Sequence, residues 1–377
     1  MNMGIIICGG GTAGHIYPAV AIIENIRQNY PDYRLLFVGT KRGMENKFIP
    51  DLGVDFTTVK SSGLNINRAW FNRIKTYLKF LFSLNLGFLK SLAIIIRFKP
   101  DIILGMGGYV CAPVLLAAIF LRKKIALHEQ NYIPGRLNMF FSRFSKYFFI
   151  SFNETKKLLN INSSRVIFSG NPVREIIRKV KYEECEYAKW NLEKGRFTII
   201  AFGGSLGAEK INNTIIDLYK YFKDSREIQI LLICGVRYYD ELNKMLKNIT
   251  RNEDNIIFKI YPYINEMNKI YRIADLVISR AGANTIAELI ISNIPAILIP
   301  YPKAVDNHQY YNAKFLADSG KAILILDKDL NKNILAQNIE GFLGDGRKEF
   351  AEIKKIKIGN CRTDSAEIIT SKLVGVN

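Results

Sequence analysis

Three glycines at G-x-G-x-x-G spacing, Gly9, Gly11 and Gly14, follow the apolar run Gly4–Cys8, and His15 stands directly behind the last of them. Glycines so spaced let backbone N–H groups approach a phosphate, and a helix opening behind them turns its positive end toward the anion. A histidine there adds an imidazole that the helix start favours in its neutral form, a proton acceptor instead of a donor. The chain has three histidines, His15, His128 and His308. Each sits just beyond an apolar strand-like run, where open α/β sheets place their ligands. His128 opens the polar run His128-Glu129-Gln130-Asn131 ahead of a Pro-Gly turn, for which loop capping is the structural alternative. His308 lies in "YPKAVDNHQYYNA", a further polar patch after a buried run.

Nicotinamide chemistry is disfavoured by the segment beyond the glycines. A dinucleotide fold needs an acid at the end of its second strand to hold the ribose, whereas "LLFVGTKRGMEN" offers Gly39 and Thr40, with Glu45 only after a loop. In "SRAGANTIAEL", Thr285-x-x-Glu288 reads as a capping box. The same carboxylate at a glycine-rich strand end could instead grip two ribose hydroxyls while the helix start faces phosphate. The one D-x-D, Asp327-Lys328-Asp329, reads as an N-cap cluster, so no metal ion is expected in the site. Leaving-group charge would then fall to loop amides, helix dipoles and Arg174.

These residues need elements to position them. Short apolar runs recur at Gly4–Cys8, 34–38, 101–104, 124–127, 198–202, 229–234, Leu276–Ser279 and 296–299, alternating with helical patterns. Continuous apolar strands between helices mean a parallel sheet covered on both faces, an α/β fold. A second glycine loop, "AFGGSLGAEKIN", begins at Gly203. Two strand–glycine–helix openings in 377 residues predict two Rossmann-like domains facing across a cleft, 1–170 and 171–356, hinged near "GNPVR".

Net charge is +19, and it is unevenly spread. From Phe56 to Asn153 fourteen bases meet only two acids, Asp101 and Glu129. On a helix, Trp70, Phe71, Ile74, Tyr77, Leu78, Leu81 and Phe82 share one face, with Lys75 and Lys79 opposite and Arg73 on the border. A core helix gives the same stripe. The nearly acid-free surroundings favour a surface lying on anionic lipid, with Tyr109, Arg73, Lys75, Lys79, Phe80 and Phe82 as candidate contacts. The stretch 76–98 is interrupted by Lys79, Asn85, Gly87 and Lys90 and is read as non-spanning. No nucleic-acid motif is visible, and five scattered cysteines argue for a reducing compartment.

Taken together, "GGGTAGHIYPA", "GTKRGMENKFIP", "GMGGYVCAP", "HEQNYIPGRLN", "GNPVR", "GGSLGAEKIN", "YINEM", "ADLVISRAGANTIAEL" and "HQYYNA" resemble, in order and over nearly the whole chain, one family. It is that of the bacterial transferases adding N-acetylglucosamine to undecaprenyl-pyrophosphoryl-muramyl-pentapeptide (lipid I). The resemblance implies a GT-B architecture and an inverting transfer from UDP-N-acetylglucosamine (UDP-GlcNAc) to the 4-hydroxyl of the muramyl sugar, giving lipid II for peptidoglycan. It implies no cofactor, and a peripheral place on the cytoplasmic face of the inner membrane. It also implies that a terminal helix, about 357–377, packs back on the first domain. Carried over by position, Thr12, Ala13, Gly14 and Asn131 would meet the donor sugar and phosphates, and Arg174 and Ser205 the diphosphate. Ile264 would offer its backbone to uracil, and Ala283, Asn284 and Thr285 would form the helix-start cradle. Glu288 would take the ribose hydroxyls and Gln309 the sugar hydroxyls. The motif does not fix the general base; His15 is the first candidate, with His128 and Glu129 behind it. A UDP-GlcNAc 2-epimerase is the nearest rival chemistry on a similar fold, and an inert binding module is the second.

Overall fold

The computed structural model describes residues 3–41, 43–61, 70–179, 186–356, 358 and 361–375, without the side chains of 47, 70–77, 345 and 349. The chain divides into two units, Met1–Glu175 with Asn360–Asn377, and Ile176–Gly359.

The first unit is built on seven parallel strands: β1 (Gly4–Cys8), β2 (Arg34–Gly39), β3 (Asp55–Thr58), β4 (Ile102–Gly105), β5 (Lys124–Glu129), β6 (Tyr147–Ile150) and β7 (Val166–Phe168). Their spatial order is β3-β2-β1-β4-β5-β6-β7. The order reverses between β1 and β4, where ligands of doubly wound sheets bind. Side chains alternate faces along β1. Ile5 and Ile7 pack with Ile16, Ile22 and Ile26 of the helix Ala13–Asn29 and with Ile369 and Leu373 of the terminal helix Ser365–Val374. Ile6 and Cys8 pack on the other face with Ile95, Val114 and Leu115 from the helices Trp70–Phe98 and Cys111–Phe120. The terminal helix is tied down by polar bonds too: Thr370 Oγ1 donates to Asn25 Oδ1 (2.6 Å) and Tyr33 to Val374 O (2.9 Å).

The second unit repeats the scheme with six parallel strands: β8 (Phe197–Phe202), β9 (Ile228–Ile233), β10 (Ile257–Tyr261), β11 (Leu276–Ser279), β12 (Ala296–Leu298) and β13 (Ala322–Leu324). Their order is β10-β9-β8-β11-β12-β13, reversing between β8 and β11. One face of β8, through Ile199 and Ala201, packs with Ile211, Ile215 and Leu218 of the helix Glu209–Phe222.

The stretch Leu78–Phe98 is long and apolar enough to cross a membrane by length and composition. Only one edge of it is buried, at Gly87, Ser91 and Ile95, spaced four apart. Gly87 has no room for a Cβ because Lys60 O and Pro113 lie against it, and Ser91 Oγ donates to Gly87 O at 2.7 Å. This stretch is thus part of the layer that covers the first sheet.

Candidate functional site

Both sheets carry glycine turns at the reversal point. In the first unit β1 runs into Gly9–Thr12 and β4 into Met106-Gly107-Gly108. Gly11 has φ +90°, Gly107 +104° and Gly108 +83°, left-handed values that side chains resist. The two turns touch: a Cβ on Gly108 would lie 2.8 Å from Gly10 O. Beneath the first turn is the fully buried carboxylate of Glu45. Its Oε1 accepts from Thr40 N (2.8 Å) and Thr40 Oγ1 (2.7 Å), and its Oε2 faces Gly11 N at 3.4 Å. Any Cβ on Gly10, Gly39 or Gly43 would collide with it. Glu45, which arrives too late in the sequence to be a ribose ligand, is therefore the brace that shapes the glycine turn.

His15 lies in the first turn of the helix Ala13–Asn29, whose cap Thr12 makes no side-chain capping bond. Its ring lies against the Cα of Gly107, where a Cβ would come within 2.8 Å of Cε1. Its Nδ1 is 3.0 Å from Gln130 Oε1. Gln130, buried at the end of β5, places its Nε2 at 2.8 Å from Met106 O and 3.0 Å from His128 Nδ1. His128 Nε2 in turn faces Gly170 O at 3.2 Å. His128 is wholly buried, and that burial pushes its imidazole down to about 4, against a smaller upward pull from Gly170 O. Glu129 is also buried. One oxygen accepts from Asn131 N (3.0 Å), the other from Gly135 N (2.9 Å) and Asn138 Nδ2 (2.8 Å). Of the three candidate bases, His128 and Glu129 thus serve as internal struts, and His15 alone stands on a partly exposed turn.

Arg174 falls in the first unit, its guanidinium 4.1 Å from the ring centre of Tyr17. Tyr109, next to Gly108, is 56% exposed.

In the second unit the loop after β8 bends at Gly204 and Gly207, with φ +97° and +76°. Gly203 has no space for a Cβ against Ala208, and Ser205 points outward. The helix Ala283–Ser292 starts on Gly282 without a side-chain cap. The expected capping box is thus not formed, because the helix begins one residue after Gly282 and leaves Thr285 and Glu288 inside it. Glu288, buried, instead takes a hydrogen bond from Tyr271 Oη at 3.0 Å. Ile264 is buried just beyond β10. Gln309 Oε1 accepts from Tyr301 N (2.9 Å), and His308 Nδ1 donates to Val305 O (2.8 Å). Between them Asp306 and Asn307 both hold left-handed backbone, φ +49° and +54°, a conformation non-glycine residues keep only where the surroundings impose it. Asp327 is not a helix cap: Asn331 caps the helix Lys332–Glu340, and Asp327 pairs with Arg280 at 2.6 Å. Arg280 also donates to Ile299 O and Pro300 O, both at 3.2 Å, binding together the loops that follow β11 and β12.

Gln130, Glu45 and Tyr271 are the residues that sequence reasoning did not assign. Gln130 stood in a polar run beside two candidates, but the glycine turn that Glu45 braces lies some distance off in sequence, as does Glu288 from Tyr271.

On the surface of the first unit, Leu78 (62%), Phe82 (64%) and Leu89 (61%) are exposed along the helix Trp70–Phe98, with Lys79 and Lys90 among them. Phe120 (70%) stands beside Phe88, and Phe80 is half-buried. The side chains of Arg73 and Lys75 lie outside the described residues.

The N-terminal domain of glycosyltransferase family 28 matches residues 5–150 and its C-terminal domain residues 198–367. The UDP-N-acetylglucosamine–N-acetylmuramyl-(pentapeptide) pyrophosphoryl-undecaprenol N-acetylglucosamine transferase of Caldanaerobacter subterraneus is 40% identical over 344 residues, 91% of this chain and 92% of its own. Acinetobacter baumannii MurG, a crystal structure, superposes with a TM-score of 0.74 at 26% identity, covering 99% of each chain. The UDP-GlcNAc 2-epimerase of Neisseria meningitidis, solved with UDP-GlcNAc, has a TM-score of 0.67 over 99% of this chain and 100% of its own. At 14% identity that likeness is one of fold alone. The two parallel-sheet units have the expected GT-B architecture, and the chain belongs to the family of N-acetylglucosaminyl transferases acting on muramyl-pentapeptide pyrophosphoryl-undecaprenol.

Proposed function

We propose that this chain moves N-acetylglucosamine from UDP-GlcNAc to the 4-hydroxyl of the muramyl sugar of lipid I, and that His15 receives the hydroxyl proton. The hydroxyl oxygen bonds to the anomeric carbon as the bond to UDP breaks, its electron pair leaving on the diphosphate. Attack from the opposite face inverts α to β. A sugar hydroxyl is a weak nucleophile, so a base within hydrogen-bond reach contributes about 10²–10⁴ in rate. The observation that carries the reading is the imidazole of His15, held by Gln130 in the glycine turn where the first sheet reverses, in a chain of this family.

In this reading donor binding falls mainly to the second unit. The uncapped start of the helix at Ala283, Asn284 and Thr285 suits a diphosphate, joined by Ser205 on its glycine loop and by Arg174. Glu288, aimed by Tyr271, suits the two ribose hydroxyls, and the backbone at Ile264 suits uracil. Gln309 suits the sugar hydroxyls, with Thr12, Ala13, Gly14 and Asn131 meeting the transferred group.

The apolar and basic strip at Leu78, Lys79, Phe82, Leu89, Lys90 and Phe120 suits the surface of an anionic bilayer, with Phe80, Arg73 and Lys75 beside it in sequence and Tyr109 on the same unit. Each near-surface base contributes about 1 kcal/mol. The enzyme then works peripherally, on the cytoplasmic face of the plasma membrane, where its donor and its lipid acceptor meet.

The test is to incubate the protein with radiolabelled UDP-GlcNAc, with and without a lipid I analogue. Label passing to the lipid only when acceptor is present is the expected result. Conversion of UDP-GlcNAc to its manno epimer without acceptor would refute it. In the same preparation, Phe82→Glu lowers sedimentation with phosphatidylglycerol vesicles if the strip meets the bilayer, and undiminished sedimentation would remove that assignment.

A further inference from the structure

The chain of contacts from Gly170 to His15 has acceptor-only groups along it, and these dictate where every proton sits. A backbone carbonyl can only accept, so His128 Nε2, which faces Gly170 O at 3.2 Å, carries a hydrogen. In a neutral His128, Nδ1 is then a lone pair. Met106 O is likewise an acceptor, so the Gln130 atom 2.8 Å from it is the amide nitrogen. That nitrogen has two hydrogens, one for Met106 O and one shared between His128 Nδ1 at 3.0 Å and His128 O at 3.3 Å. Turning the amide over would set its oxygen against two carbonyl oxygens and a ring lone pair at once. The amide oxygen is thereby left for His15 Nδ1 at 3.0 Å.

We infer that Gln130 is a positioning residue that fixes the proton of His15 on Nδ1, so that Nε2 presents its lone pair to the incoming hydroxyl. The inference rests on the reading of His15 as the base. Gln130 is buried behind the turn, and its role is to select the tautomer. The ring cannot escape by turning, since it lies against Gly107, where even a Cβ would come within 2.8 Å. His128 has the matching role of holding Gln130 the right way round, which explains a fully buried imidazole next to a catalytic turn.

The assay is nitrogen NMR of the full chain labelled with ¹⁵N-histidine near neutral pH, where three histidines are few enough to assign by substitution. Nitrogens bearing a proton and those bearing a lone pair resonate far apart. The wild type is expected to show His15 with a protonated Nδ1 and a bare Nε2, and His128 with the reverse. A His15 protonated on Nε2, or an even mixture, overturns the inference whatever the activity. Gln130→Met, close in shape but without either bond, is expected to mix the tautomers of His15 and to lower kcat about tenfold or more, with KM for UDP-GlcNAc changed by less than about twofold. A Gln130→Met protein with mixed tautomers and wild-type kcat overturns the inference. Full activity in His15→Gln would instead remove the reading of the base, and the wild-type spectrum separates the two failures.

Discussion

Acid should weaken the first unit through one residue. His128 is wholly buried, and burial lowers its imidazole from 6.5 to about 4. In the unfolded chain it returns to the ordinary value, so between these two limits the unfolded state binds the extra proton and stability falls as pH falls. The full difference, about 2.5 pH units at about 1.36 kcal/mol each, amounts to about 3 kcal/mol, of which about 2 kcal/mol is lost between about pH 7.5 and about pH 5. Protonation also places a hydrogen on Nδ1 against the amide nitrogen of Gln130, so the strut behind His15 breaks at the same time. Urea unfolding followed by pulsed hydrogen–deuterium exchange reads β5 and its neighbours apart from the second unit. His128→Gln, whose amide can still donate to Gly170 O, does not titrate. The wild type is expected to lose about 2 kcal/mol more than His128→Gln over that pH range. Equal pH slopes in the two proteins would overturn the prediction, because the buried imidazole would then contribute no proton linkage.

Gly107→Ala combines a left-handed φ with a Cβ within 2.8 Å of the His15 ring, and is expected to cut kcat at least about tenfold while UDP affinity by calorimetry holds. Tyr271→Phe removes a hydroxyl that donates to Glu288 and is expected to raise KM for UDP-GlcNAc about fivefold with little change in kcat, on the basis of about 1 kcal/mol for a lost hydrogen bond. Lys321→Met deletes a buried ammonium that donates to Asn293 Oδ1 (2.7 Å) and to Ile353 O and Lys354 O (both 2.9 Å) at the end of the helix Arg347–Lys355. It is expected to cost the second unit about 3 kcal/mol in urea, and an unchanged midpoint would show the carbonyls need no cap.

Much of this fold was legible because buried parallel strands are continuous apolar runs. The runs at Gly4–Cys8, 198–202 and Leu276–Ser279 are β1, β8 and β11, the strands flanking each reversal point, together with β4 near 101–104. Three of the five strands that went unread are short and set at the edges: β3 is four residues with two threonines, and β7 and β13 have three residues each. Too few residues repeat there for any period to show. β6, Tyr147–Ile150, is a continuous apolar run and β10, Ile257–Tyr261, alternates, so both could have been found.

The site divides along the same physical line. Glycine turns and helix starts are local and can be seen in the sequence. Glu45 beneath Gly10, Gln130 between two histidines and Tyr271 on Glu288 depend on contacts the fold creates across distant segments. Thr285-x-x-Glu288 shows the converse error, a local pattern overruled when the helix began at Ala283, just after Gly282.

The chemistry proposed for this chain turns on the imidazole behind the first glycine turn taking the acceptor's proton. The rate of label transfer from UDP-GlcNAc to a lipid I analogue by His15→Gln, with UDP affinity measured on the same protein, decides it. A kcat lower by about 10²–10⁴ with UDP binding unchanged is expected. A His15→Gln enzyme that transfers at the wild-type rate would contradict the assignment.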